Sequence, residues 1–126
     1  MTHKELLSIA DTAMKNAYAP YSDFKVGAAL LCKDGTVFTG CNIENATYGA
    51  TNCAERTAIF KAVSEGRRDF EAIAIVSSGG GETFPCGICR QVMAEFAPDM
   101  EIILRDSNGN TNCYKLMELL PKSFTL

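Results

Sequence analysis

Cys53 and Glu55 stand two positions apart, with Arg56 beside them, and Pro85-Cys86-Gly87-Ile88-Cys89 follows downstream. The second group is a thiol pair with metal-ligand spacing. Three thiolates bind zinc tightly and leave its fourth position open, which is the layout of a catalytic rather than a structural site. A structural site would want a fourth protein ligand. His3 and the remaining cysteines, Cys32, Cys41 and Cys113, are the other soft candidates, and none has paired spacing. A carboxyl beside an open metal position can take a proton from water and hand it on. The residues therefore describe metal-assisted hydrolysis with a built-in general base.

Two helix starts must position these groups. Thr51 or Asn52 is the expected cap of a helix that runs to about Glu65 and stops at Gly66. Ile59, Ala62 and Val63 lie four, seven and eight positions after Glu55, so the carboxyl shares the core-facing stripe. A buried, unpaired carboxyl is costly and needs a partner or a purpose. The bland alternative is an ion pair with Arg56 or Arg90. Pro85 sets up Cys86, and the second helix reaches about Phe96 before Pro98. Cys89, Val92, Met93 and Phe96 share one stripe, with Cys86 a turn before Cys89. The positive end of each helix favours thiolate at Cys53 and Cys86.

The other elements form a frame. Thr2-His3-Lys4-Glu5 has capping-box form, and Leu6, Ile9, Ala10, Ala13 and Ala17 recur at helical spacing. His3 reads as a solvated first-turn residue. After Pro20, Lys25 to Lys33 is apolar on both faces, as in a strand covered on both sides. Asp34-Gly35 is a hairpin signal, and Thr36 to Ile43 reads as the antiparallel partner. Asn42 and Glu44 share a face where this strand runs into a loop. They are either a solvated strand end or a pair that holds ligand hydroxyls. Glu71 to Val76 and Glu101 to Arg105 read as strands, and Tyr114 marks a fifth. Leu116 to Leu120 is a last helical turn. Ser77 to Glu82 is glycine-rich but lacks the G-K-[ST] ending of a phosphate loop. Cys32, Cys41 and Cys113 fall on these strands and are expected to be small core residues.

The totals narrow the function classes. The chain has 126 residues, 47% hydrophobic and 21% charged, which suits one globular domain spanning 1–126. Its net charge of −3 does not suggest a nucleic-acid partner, since such binders usually carry a basic face. No apolar run approaches membrane-spanning length and no signal-peptide pattern opens the chain. With the C-x-x-C spacing, this favours reduced thiols in the cytoplasm over a secreted disulfide scaffold.

The ordered pattern C-A-E … P-C-x-x-C resembles the zinc deaminase signature, with cysteine in the first ligand position. Pro20-Tyr21-Ser22-x-Phe24-x-Val26-Gly27-Ala28-Ala29 and Asn42-Ile43-Glu44-Asn45 come before it. Cys53-Ala54-Glu55-Arg56 and Pro85-Cys86-Gly87-Ile88-Cys89-Arg90-Gln91 complete it. Together they resemble the cytidine deaminase family, in its small, homotetrameric, three-cysteine class, over essentially the whole chain.

The resemblance implies an α/β fold, a three-layer αβα sandwich on a five-stranded mixed sheet. It implies one zinc per subunit on Cys53, Cys86 and Cys89, with Glu55 carrying protons. Asn42 and Glu44 would bind ribose hydroxyls, Phe24 would lie against the cytosine ring, and the Ala54 N–H would donate to the pyrimidine O2. An aromatic from a neighbouring subunit's tail would complete the pocket, and here only Phe124 fits. The activity would turn cytidine and deoxycytidine into uridine and deoxyuridine plus ammonia, in pyrimidine salvage. Arg56, on the same helix turn as Cys53, is expected to donate to Cys53 or Cys86 and draw density from the sulfurs.

Two rivals explain less. A redox protein would use Cys86 and Cys89 but leaves Cys53 and Glu55 without a role. A purely structural zinc module predicts no chemistry on a nucleoside. No Arg/Lys cluster stands near Asn42–Glu44 to meet a nucleotide's phosphate.

Overall fold

A computed structural model describes residues 1–126. The elements are α1 (His3–Met14), β1 (Val26–Cys32), β2 (Val37–Cys41), a short 3-10 turn (Tyr48–Ala50), α2 (Ala54–Ser64), β3 (Phe70–Ser77), α3 (Gly87–Phe96), β4 (Glu101–Arg105), β5 (Thr111–Lys115) and α4 (Leu116–Leu119). Thr2 caps α1 as expected, accepting from the Glu5 N–H at 3.1 Å. That helix ends at Met14, short of Ala17, because its last bonds tighten to the i→i+3 type ahead of Pro20.

The five strands lie in the order β2-β1-β3-β4-β5. Every neighbouring pair is antiparallel except β3 and β4, which run parallel and enclose α3 in their connection. This is a mixed sheet with a helical layer on each side. All seven residues of β1 are buried. Its alternate side chains enter two different cores, as expected for a strand with two covered faces. Ala28, Leu30 and Cys32 pack with α2 and α3 residues such as Ala58, Ile59 and Met93. Ala29 and Leu31 pack with Leu6, Leu7 and Ala10 of α1.

Two glycines let helices sit directly on strands. A Cβ on Gly27 would lie 2.1 Å from the Ala10 carbonyl of α1. One on Gly40 would lie 2.3 Å from the Ala54 carbonyl, at the first turn of α2. The second contact fixes the height of the helix that carries Cys53 and Glu55.

Of the three cysteines expected in the core, only Cys32 is buried; Cys41 is half-buried and Cys113 is exposed. Cys113 lies on the edge strand β5, where nothing covers it fully. No helix is long and apolar enough to cross a membrane.

Candidate active site

Cys53 is itself the N-cap of α2, and its side chain makes no cap hydrogen bond. The expected cap residues are occupied elsewhere. Asn52 Nδ2 donates to Thr57 Oγ1 at 3.1 Å, and Thr51 Oγ1 accepts from the Asn45 N–H at 3.2 Å. Cys86 is the N-cap of α3, and its sulfur accepts from the Cys89 N–H at 3.4 Å. Two helix starts thus bring three sulfurs into one cluster. Cys53 Sγ lies 3.8 Å from Cys86 Sγ, and Cys86 Sγ lies 3.4 Å from Cys89 Sγ. All three sit within 4.8 Å of one another. Zinc–sulfur bonds of about 2.3 Å at tetrahedral angles put sulfurs roughly 3.8 Å apart. The donor set and its spacing therefore fit zinc, and no fourth protein donor joins the cluster.

Glu55 is 4% exposed and stands on the same turn as Cys53. Burial, helped by the neighbouring Cys53 charge, pushes its carboxyl up to about 7. That places it where a general acid and base works best near neutral pH. The ion pair considered for it does not form. Arg90 instead donates to the Pro85 carbonyl at 2.7 Å and the Leu119 carbonyl at 2.6 Å, locking the turn before Cys86 to α4. Arg56 Nη2 donates to Cys53 Sγ at 3.3 Å, and the Arg56 Nε is buried without a partner. A hydrogen bond from Cys89, together with Arg56, holds the Cys53 thiol down to about 5 against burial. Cys89 is pushed up in turn, by Cys53 first and then by burial. The two sulfurs share one hydrogen bond, and a metal binding there would take both as thiolates and release protons.

A pocket of about 280 Å³ opens onto Cys53, Cys86 and Glu55. Phe24, Asn42, Glu44 and Ala54 also line it; Cys89 and Arg56 lie behind it, joined through the sulfur cluster, and Phe124 stays outside. Two of the lining residues already have work within the chain. Asn42 Oδ1 accepts from the Val26 N–H at 2.9 Å and Nδ2 donates to the Phe24 carbonyl at 2.7 Å. This amide bracket holds Phe24 at the pocket. Glu44 accepts from the N–H groups of Tyr21 and Ser22, at 2.9 and 3.2 Å, and from the Ser22 hydroxyl. Both side chains retain spare hydrogen-bonding capacity for a ligand hydroxyl. Phe124 is 66% exposed and stays outside its own chain's pocket; its carbonyl accepts from Gln91 Nε2 at 3.0 Å.

Phe84 was not singled out in the sequence, yet it lines the pocket next to Cys86. Its ring packs on Tyr114 with centroids 5.3 Å apart. Tyr114 in turn donates to Glu82 at 2.8 Å, so β5 anchors the loop that carries Phe84. An apolar residue ahead of Pro85, in an otherwise polar loop, was the available signal. A neighbouring hollow of about 380 Å³ shares Ser22, Glu44 and Thr51 but holds no thiol. The chemistry belongs to the smaller pocket.

Three clustered thiols and a buried carboxyl, presented by two helix starts over a mixed sheet, define a zinc-dependent hydrolytic site. The family model for the cytidine and deoxycytidylate deaminase zinc-binding region matches residues 1–104. The chain belongs to that zinc-binding deaminase family. It is 55% identical to the cytidine deaminase of Halalkalibacterium halodurans, over 99% of this chain and 96% of that one. It is 49% identical to the cytidine deaminase of Sporosarcina psychrophila, over 99% and 93%. The crystal structure of cytidine deaminase from Burkholderia pseudomallei superposes with a TM-score of 0.93 at 51% identity, covering 98% of this chain and 100% of that one. That from Mycobacterium tuberculosis gives 0.88 at 39%, covering 100% and 99%.

Proposed function

We propose that residues 1–126 act as one deaminase domain that hydrolyses cytidine and deoxycytidine to uridine and deoxyuridine with release of ammonia. The observation that carries this reading is the buried Glu55 carboxyl on the wall of a pocket shared with Cys53 and Cys86. Cys53, Cys86 and Cys89 would hold zinc, which would supply Lewis acidity and lower the pKa of bound water toward roughly 7. Glu55 takes a proton from the attacking water and delivers it to ring N3, which makes C4 electrophilic. The hydroxide oxygen adds to C4; Glu55 then carries the proton of the new C4 hydroxyl to the amino group, the C4–N bond breaks, ammonia leaves and the C4 carbonyl of uridine forms. A carboxyl near neutrality can do both because it gives and takes protons at comparable cost.

Phe24 is assigned to the face of the cytosine ring, and the Ala54 N–H, at the start of α2, to the pyrimidine O2. Asn42 and Glu44 are assigned to ribose hydroxyls. Ser22, Asn52, Thr83 and Phe84 also line the pocket, and none of its wall is Lys or Arg. A nucleoside therefore suits it better than a nucleotide, whose phosphate would find no cation. Loss of ultraviolet absorbance on cytidine, deoxycytidine and deoxycytidine monophosphate tests this. Turnover of both nucleosides with little on the monophosphate is expected; preference for the monophosphate would overturn the assignment.

We further infer a homotetramer in which Phe124 reaches a neighbouring subunit's pocket. An apolar ring in an exposed tail supports this. Placement in the cytoplasm, in pyrimidine salvage, agrees with six free cysteines.

A further inference from the structure

A second cluster of metal-ligating side chains lies on the α1 face of the sheet, away from the zinc pocket. His3 opens α1, Glu101 opens β4, and Cys113 sits in the middle of β5. Ile103 packs with α1, and Cys113 is its cross-strand partner. Glu101, two residues before Ile103, therefore points to the same face. His3 Nδ1 lies 3.2 Å from Cys113 Sγ, and His3 Nε2 lies 2.9 Å from Glu101 Oε1. One donor atom from each residue falls within 4.8 Å of the other two.

We propose that His3, Cys113 and Glu101 form an accessory transition-metal site, selective for a borderline divalent ion such as zinc or cobalt(II). The order of contacts is that of a metal-binding histidine. Such a histidine nearly always donates its second ring N–H to a carboxylate, which fixes the tautomer and raises the basicity of the ligating nitrogen. Here Glu101 holds Nε2–H, so the Nδ1 lone pair faces the sulfur. Cys113 thiolate and His3 Nδ1 bind the ion, and water completes its coordination. A sulfur–imidazole pair favours zinc-like ions over magnesium or calcium, which take oxygen ligands. On binding, the Cys113 S–H bond breaks, the sulfur–metal bond forms and the proton leaves to solvent. The ion would tie the start of α1 to β4 and β5, three segments remote in sequence. All three residues are exposed or half-exposed, so an ion reaches them without unfolding.

The test uses full-length protein with its catalytic zinc in place, titrated with cobalt(II). The readouts are bound metal after desalting, the sulfur-to-cobalt charge-transfer absorption, zinc released and cytidine turnover. Wild type is expected to take up one cobalt per chain beyond the retained zinc, with a charge-transfer band. Cys113→Ser should lose both the band and the extra ion, and His3→Ala should lose most of the affinity. Glu101→Gln should weaken binding by about 10–100-fold, as loss of a carboxylate behind a ligating histidine does. Turnover should be unchanged in all three. No cobalt bound beyond the zinc, or an extra ion and band that survive Cys113→Ser, would overturn the proposal and leave a hydrogen-bonded cluster only.

Discussion

Arg56 donates from Nη2 to Cys53 Sγ at 3.3 Å, and through this bond a cation on α2 sits against a sulfur of the zinc cluster. Three thiolates outweigh the two positive charges of zinc, so the centre is net negative. Thiolate donation also makes the metal a weaker Lewis acid. A guanidinium stays charged at any working pH, and in this position it would draw density back from the sulfur. Arg56→Gln is therefore expected to keep zinc and fold but lose about 10–100-fold in turnover, the range for groups that act through a ligand. Adding Cys53→His should recover part of the loss, since a neutral ligand removes excess charge. Steady-state rates at matched zinc content decide it. Wild-type turnover in Arg56→Gln would make the arginine structural.

The contact between Gly40 and the Ala54 carbonyl makes a separate prediction. A methyl group cannot fit at 2.3 Å from a backbone oxygen, so Gly40→Ala must push the first turn of α2 off the sheet. Overpacking of this kind costs about 1–3 kcal/mol. Because that turn presents Cys53 and Glu55, zinc affinity should fall with stability. Thermal denaturation and metal analysis of the variant read both. An unchanged midpoint would mean that the helix rides over the strand without needing a bare backbone.

Glu44 connects acid sensitivity to the pocket. Hydrogen bonds from the Ser22 hydroxyl and the Tyr21 and Ser22 N–H groups hold its carboxyl below the usual range, with the hydroxyl contributing most. A depressed carboxyl stabilises the fold above its unfolded pKa, and that contribution is lost as pH falls through the lower folded value. The 21–22 loop should therefore loosen in acid, and Glu44→Gln should flatten that dependence. The same variant should weaken nucleoside binding several-fold while free cytosine changes little. Binding titrations of nucleoside and base across the acid range would show it. An equal effect on the two ligands would move Glu44 out of the ribose pocket.

Phe124 carries the assembly prediction. Sedimentation is expected to give a tetramer, and Phe124→Ala should lower catalytic efficiency while zinc stays bound. The ring is exposed in the isolated chain and does not line its own pocket, which motivates a role between subunits. An active wild-type monomer would refute it.

Much of this fold was legible because its signals are local. The stretch from Lys25 to Lys33, apolar on both faces, suits a strand covered on both sides, and alternate residues of the observed strand Val26–Cys32 do enter two cores. The zinc cluster was legible because cysteine spacing at two helix starts leaves few geometries. What was missed depends on competing side-chain partners, on contacts between segments remote in sequence and on a strand's place in the sheet. Thr51 and Asn52 are good caps by type, but both bond elsewhere and a cysteine caps α2. Cys113 has core chemistry, yet edge position leaves it exposed beside His3. Phe84 reaches the pocket only because Tyr114 and Glu82 tether its loop, a contact across about thirty residues.

Glu55 is the group on which the proposed chemistry turns. Glu55→Gln keeps size and polarity but cannot carry a proton. The most direct measurement is cytidine turnover, followed by ultraviolet absorbance, in wild type and Glu55→Gln at equal zinc content. Wild type should deaminate cytidine, and the variant should lose about 10² to 10⁴ in rate, the usual worth of general acid–base catalysis. A zinc-loaded wild type that leaves cytidine intact, or a variant that keeps a tenth of the activity, would contradict the proposed chemistry.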